Sequence, residues 1–428
     1  MIYKYLSLSP YSSKTWRLNS LQVFDFKRPL WEGLDLSLRD QIEREIRERG
    51  PIPFSRYMHI CLYDPRAGFY TRNAEQFGKS GDFYTSSDVH AVFGRLLARQ
   101  FEEMWRALNR PASLEILELG PGRGLFARDV LDWSHKKFPD FFAALTYTLQ
   151  ESSPALCAKL QQALADHVRS GRAVIADSAS SRDDSPVIRR TCSPDIPLII
   201  FANEFFDALP VEILSTEGKL HLALRDSHLA EIWLPALPEE LEFLDRYGVH
   251  PEADERIEAP LAAQRWAKAA AKAVGRGFLL IIDYGYTRSE QLAGRHRGTL
   301  MAYRQHSASA NPYEAPGEQD LTAHVNFSAL AGAADQVGLR QEKLLTQSQL
   351  LLGIGEQTQF ADAFEECRLP QERAKVALQL KHLITPEGMG ETFRVLTASR
   401  GVESAKIAEL SGLGFGSGDD SRPPIAKR

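Results

Sequence analysis

Residues 114–131, Leu-Glu-Ile-Leu-Glu-Leu-Gly-Pro-Gly-Arg-Gly-Leu-Phe-Ala-Arg-Asp-Val-Leu, constrain the fold more than any other stretch of this chain. Leu114, Ile116, Leu117 and Leu119 predict a short buried strand. Gly120, Gly122 and Gly124 follow at once, and an amphipathic helix is expected from Leu125. A strand, a glycine turn and a helix open a doubly wound α/β nucleotide site. Glycines without Cβ let a backbone approach a ligand closely. The dinucleotide spacing G-x-G-x-x-G would require glycine at 125, where Leu125 stands, so a nicotinamide oxidoreductase is disfavoured.

The pattern of apolar runs extends this unit into an α/β core. Further strands are expected at 145–149, 173–176, 197–201, 278–282 and 391–398, with a hairpin insertion at 211–225 turning at Glu217-Gly218. All-apolar strands suit a parallel sheet covered on both faces. Helices are expected at 36–49, capped near Ser37, through Phe93 to Trp105, and at 260–274, 327–336, 357–367 and 371–383. This gives an expected organisation of a flexible extension (1–34), a helical cap with a donor-covering loop (35–110) and a core (111–410) with insertions near 211–258 and 286–325. A disordered tail is expected over 411–428.

Composition excludes some functions. The 428 residues carry a net charge of −5 with no basic block, which argues against nucleic acid as a partner. No run approaches 18 apolar residues, so no membrane span is expected. The four cysteines form no C-x-x-C pair and are expected as reduced thiols. No His/Cys/Asp cluster has metal-ligand spacing, so no metal is expected. The first 24 residues hold Lys4, Lys14 and Arg17 and no acid, which is compatible with an organelle presequence or with a plain extension.

Ligands of open parallel sheets bind outside the carboxyl ends of the strands. Those ends here carry Gly120, Pro121, Gly122 and Gly124 with Glu118 before them, then Glu151, Asp177, Asn203-Glu204 and Asp283. Glu151 can accept both hydroxyls of a ribose, or cap the following helix. Asp177 can accept an adenine amino group, or cap a loop. Asp283 is expected to orient backbone. Glu204 and Asp207, three apart, are expected on one face of a helical turn, where two carboxylates suit a forked guanidinium. The loop 78–88, with Gly81, Asp82 and Thr85, can cover a donor or merely link two helices. His324 is placed near the acceptor or in a structural role.

The alternating glycines resemble the first motif of S-adenosyl-L-methionine (SAM) methyltransferases, which bind an amino acid at this turn. At greater length the chain resembles the MidA family of methyltransferases. The matching segments are Gly50–Phe54, Leu62–Pro65, Gly81–Ser86, Glu118–Gly124, Ala202–Pro210, Ile282–Tyr286 and Glu318–Phe327. The resemblance implies a class I Rossmann-like fold: a seven-stranded mixed sheet, last strand antiparallel, with an N-terminal helical cap and insertions. It implies SAM as donor and, from the mitochondrial branch, a protein arginine in a respiratory complex I subunit as acceptor. Glu204, Asp207 and His324 are then the catalytic candidates. An assembly factor that binds a partner and keeps SAM in a structural or regulatory role stays open. So does the compartment: bacterial cytoplasm or mitochondrial matrix.

Overall fold

The computed structural model describes residues 37–72, 91–177, 186–226, 228–304, 307–309 and 311–414. The expected extension over 1–34, the loop with Gly81, Asp82 and Thr85, and the tail from 415 lie outside these residues. The main sheet contains β1 (Leu114–Leu119), β2 (Leu145–Glu151), β3 (Ala173–Asp177), β4 (Leu198–Asn203), β5 (Gly277–Tyr286), β6 (Val325–Asn326), β7 (Arg340–Thr346) and β8 (Phe393–Arg400). Its order is β7-β8-β5-β4-β1-β2-β3, with β6 beside the end of β5. All contacts among β1 to β5 are parallel, and β8 runs antiparallel between β5 and β7. This is the seven-stranded mixed sheet expected, with a two-residue eighth strand added. The chain winds outward from β1 to β3 and then returns to β4 on the other side of β1. The crevice lies at that reversal.

The helices that follow in the argument are α1 (Leu38–Arg49), α2 (Phe54–Tyr63), α3 (Phe69–Arg72), α4 (Ala91–Ala107), α5 (Leu125–Lys137), α6 (Pro154–Ala163), α7 (Leu261–Ala273), α8 (Phe327–Asp335), α9 (Gln347–Glu356) and α10 (Pro370–Ile384). Alternation along a strand sends neighbours to opposite faces. On β5, Phe278, Leu280 and Ile282 join Phe93, Leu97 and Phe101 of α4 and Phe126 and Val130 of α5. Leu279 and Ile281 join Ala263, Ala267 and Ala270 of α7 and Phe327 and Leu330 of α8. Each of the larger of these side chains, the Leu, Ile, Val and Phe, contributes roughly 1.5–3 kcal/mol of transfer free energy when fully buried. Phe126 also stacks on Phe201, ring centroids 4.6 Å apart, which seats α5 directly after the glycine turn.

The cap expected over 35–110 is divided. Ser37 and Asp40 close the capping box at the start of α1. Leu38, Ile42, Phe54, Tyr57 and Met58 then pack on Val211, Ile213, Leu220 and Leu222 of the insertion, whereas α4 belongs to the core face described above. The insertion itself is an antiparallel sheet of Ile52–Pro53, Glu212–Ser215, Gly218–Arg225, His228–Leu234 and Ile257–Ala259. The hairpin predicted at Glu217-Gly218 is present, with Ser215 facing Gly218. Two departures follow from packing. The helix expected at 357–367 is preceded by α9, and only Ala361–Phe364 is helical in that stretch. Residues 411–414, expected in the tail, form a buried turn of helix: the backbone N–H and hydroxyl of Ser411 both donate to Glu103 at 2.8 Å, and Gly412 donates to Gln100.

Candidate active site

A cleft of about 1180 Å³ opens at the carboxyl ends of β1, β2 and β4. Glu118, Gly120, Pro121, Gly122, Glu151, Asn203, Glu204 and Asp207 all line it. The three glycines have left-handed φ values of +66°, +54° and +73°. Their roles differ. A Cβ on Gly120 would meet Cδ2 of Phe205 at 2.8 Å, and one on Gly124 would meet Cδ2 of Leu160 at 2.6 Å. A Cβ on Gly122 would meet nothing within 4 Å. Gly124 therefore packs α5 against α6 and does not line the cleft, while Gly122 faces open space.

Glu118 is buried at the end of β1 and accepts from the Tyr147 hydroxyl at 2.9 Å. Burial pushes its pKa up to about 8, partly offset by that hydrogen bond. Oε1 of Glu151 accepts from the backbone N–H of Ser152 and Ser153, and Ser153 caps α6. Both readings of Glu151 are thus compatible: one oxygen serves the strand end, and the residue still lines the cleft. Burial raises its pKa, and the bonds from Ser153, Ser152 and Gly122 oppose that rise. Asp177 ends β3 opposite Glu151, and its side chain lies outside the description.

The segment after β4 corrects one expectation. Residues 204–207 are not a helical turn. Glu204 adopts φ +49°, the left-handed region that non-glycine residues rarely take. The amide of Asn203 donates to Glu204 Oε1 at 3.1 Å. Asp283 Oδ2 collects the backbone N–H of Phe206 and Asp207 at 3.0 and 3.3 Å, and Oδ1 takes the N–H of Tyr284. Asp283 therefore orients backbone, as its position suggested. A chain that reverses through a strained residue keeps Glu204 and Asp207 at the cleft without helical spacing.

Asp207 is 3% exposed. Its Oδ2 accepts from the Tyr284 hydroxyl at 2.6 Å, and Oδ1 is buried with no hydrogen-bond partner among the described residues. Burial pushes its pKa up to about 6, against the bond from Tyr284. Asp283 is raised well above the carboxylate range by burial and by the charges of Asp207 and Glu204. Oδ1 of Asn203 is likewise buried and unpartnered.

His324 does not line the cleft. Its ring meets the edge of Tyr284 and its Nδ1 lies 3.1 Å from Nδ1 of His296. Burial, with His296 adding to it, lowers its pKa to about 4. Tyr63 and Tyr70, from α2 and α3, line the cleft and were not foreseen as site residues. Their hydroxyls donate to the carbonyl of Ala208 and to Asp320. The only sequence signal for them is the density of aromatics between 53 and 70. Phe205 and Trp266, ring centroids 5.2 Å apart, form another part of the wall. Among the described residues no group of three or more His, Cys, Asp or Glu is placed to hold a metal ion, and no helix is long and apolar enough to cross a membrane.

Residues 96–344, more than half of the chain, match the model of a family described as "Putative S-adenosyl-L-methionine-dependent methyltransferase". The chain belongs to this methyltransferase family. Two curated relatives of this methyltransferase are similar along most of their length. The Drosophila melanogaster protein named "Protein arginine methyltransferase NDUFAF7 homolog, mitochondrial" is 28% identical over 396 residues, covering 89% of this chain and 88% of that one. The Danio rerio protein named "Protein arginine methyltransferase NDUFAF7, mitochondrial" is 29% identical over 409 residues, covering 88% and 89%. A crystal structure of a "likely methyl transferase from Burkholderia thailandensis bound to S-adenosyl-homocysteine" superposes with a TM-score of 0.75 at 27% identity, covering 90% of this chain and 95% of that one. These likenesses establish a class I SAM-dependent methyltransferase fold and enzyme, with SAM as its donor.

Proposed function

We propose that this enzyme methylates an arginine nitrogen of a protein substrate, with Glu204 and Asp207 as the carboxylates that hold the guanidinium. The observation that carries this reading is the unpartnered Oδ1 of Asp207, buried beside Glu204 at the end of the donor cleft. A buried acceptor left without a donor costs free energy until one arrives. The relatives named as protein arginine methyltransferases support the same acceptor.

The residues present fit SAM. Gly122 leaves open space at the turn where a side chain would otherwise stand. We assign Gly120, Pro121 and Gly122 to the amino-acid end of the donor, Glu151 to its ribose, and Glu118 and Asn203 to the floor beneath it. Bound there, SAM supplies an electrophilic methyl: the C–S bond breaks as the N–C bond forms, the pair stays on sulfur as a thioether, and the nitrogen loses a proton. Free arginine is protonated, with a pKa above ~12, so its nitrogens are poor nucleophiles. Glu204 and Asp207 accept the fork of N–H donors and draw positive charge away from the attacking nitrogen. Asp207, ionised above about 6, takes the proton as the bond forms. Positioning supplies most of the remaining acceleration.

The finer reading follows the resemblance: the acceptor is a respiratory complex I subunit and the compartment is the mitochondrial matrix. The mitochondrial names of the relatives support it. The test uses complex I from cells of the same host lacking this protein, incubated with the purified enzyme and methyl-labelled SAM. Mass spectrometry should place the label on an arginine of one subunit. Glu204→Gln should still bind S-adenosylhomocysteine and lose transfer by about 10²-fold or more. Label on no arginine refutes the acceptor, and near-normal transfer by Glu204→Gln refutes the role of that residue.

A further inference from the structure

We infer that Tyr284 is the positioning residue for Asp207, fixing by its hydroxyl which carboxylate oxygen remains for the methyl acceptor. The inference deepens the reading above and rests on Asp207 being an acceptor carboxylate.

Two neighbouring residues of β5 hold Asp207 from different sides. Asp283 accepts from the N–H groups of Phe206 and Asp207, and the Tyr284 hydroxyl donates to Oδ2 of the Asp207 side chain at 2.6 Å. The backbone carbonyl of Asp207 accepts from Ala323 at 3.0 Å. With the backbone pinned and Oδ2 engaged, the Tyr284 bond favours one orientation of the carboxylate, the N–H groups of Ala208 and of Asp207 itself add a smaller pull, and Oδ1 is left with no hydrogen-bond partner among the described residues. A carboxylate that met an incoming guanidinium without this bond would pay the entropy of choosing its orientation at that moment. The tyrosine ring is itself held. His324 lies edge-on to it at 5.2 Å and Phe393 at 5.7 Å, with interplanar angles of 82° and 67°. His296, 3.1 Å from His324 at Nδ1, stacks on Tyr286 at 5.1 Å. The Asp-Tyr-Gly-Tyr segment and His324, both prominent in the sequence, thereby find one purpose: they support the ring that sets Asp207.

The groups facing Asp207 are Asp283 and Tyr284 from β5, Tyr63 from α2 and Tyr70 from α3, with Glu204 acting on Asp283 and Asp320, of the strand Asp320–Thr322, on the two tyrosines. This set contains carboxyls and phenols and no cation. The donor bond from Tyr284 lowers the pKa of Asp207 against the burial that raises it. Removing the hydroxyl therefore moves that pKa upward, and with it the pH below which transfer fails.

The experiment is the pH profile of labelled-methyl transfer to the unmethylated complex I of the previous section, for wild type, Tyr284→Phe, His324→Phe and Asp207→Asn. Wild type should lose rate as pH falls through about 6. Tyr284→Phe should bind S-adenosylhomocysteine as wild type does, with its acidic limb displaced upward by on the order of one unit. That displacement is a loss of about fivefold at pH 6 and almost none at pH 8. His324→Phe, which keeps an aromatic edge on Tyr284, should leave the limb in place. Incorporating 3-fluorotyrosine at 284, a stronger donor, should move the limb the opposite way. An unmoved limb in both Tyr284 variants overturns the inference. Full transfer by Asp207→Asn instead overturns the reading of Asp207 on which it rests, so the two failures are distinguishable.

Discussion

Replacing Gly122 by alanine separates backbone strain from loss of ligand space. Gly122 has φ +54° and open space around the position of a Cβ. Alanine there pays the left-handed penalty, roughly 1–2 kcal/mol, and no packing clash. Gly171 is the matched control: φ +72°, open space, in the turn before β3 and away from the cleft. Gly171→Ala should lose a similar stability, about 1 kcal/mol, and keep its donor affinity. Gly122→Ala should lose the same stability and, in addition, at least tenfold in affinity, ~1.4 kcal/mol, because its methyl occupies the side of the turn that the donor approaches. Gly120 and Gly124 cannot serve, since their substitutions push on Phe205 and Leu160. The assay is calorimetric titration with S-adenosylhomocysteine, with melting curves for both variants. Wild-type affinity in Gly122→Ala, at the stability of Gly171→Ala, would refute the assignment of this turn to the donor.

Two further predictions concern protons. Glu118, raised to about 8, holds a proton at pH 7, and a cationic donor beside it favours the ionised form. SAM binding at pH 7 should release protons, seen as different apparent enthalpies in phosphate and Tris; equal enthalpies, or a difference that survives in Glu118→Gln, would count against this coupling. Asp207 has a folded pKa of about 6, above its ordinary value of 3.8, so the native state binds the proton more tightly than the unfolded chain. Its contribution to stability is then present at low pH and is lost as pH rises from about 4 to 6. Asp207→Asn should melt higher than wild type at pH 7.5 and gain little at pH 4; parallel melting curves across that range would contradict the assignment.

What the sequence made legible follows from burial. Strand β1 is covered on both faces and every one of its residues is buried, so Leu114, Ile116, Leu117 and Leu119 mark it despite Glu115 and Glu118. Strand β7 lies at the sheet edge and carries Arg340, Gln341, Glu342 and Lys343, so the pattern that marks a central strand is missing. Helix α9 was hidden by Gly353 and Gly355, which look like helix breakers. In the fold they are contact points: a Cβ at 353 would meet the carbonyl of Ser411 at 2.5 Å, and one at 355 would meet the ring of Phe360. The same ambiguity runs through the donor turn, where three glycines alike in sequence divide into one that faces open space and two that admit Phe205 and Leu160. The acceptor side shows the limit most sharply. Glu204 is legible from its place after β4, whereas the shared helical face expected of Glu204 and Asp207 does not form, because no helix stands there. They reach the cleft through a left-handed Glu204 and through Asp283 and Tyr284, residues 76 and 77 positions beyond Asp207. Local periodicity reports which residues share a face of one element. It does not report a carboxylate held by the next strand of the sheet, as Tyr284 holds Asp207.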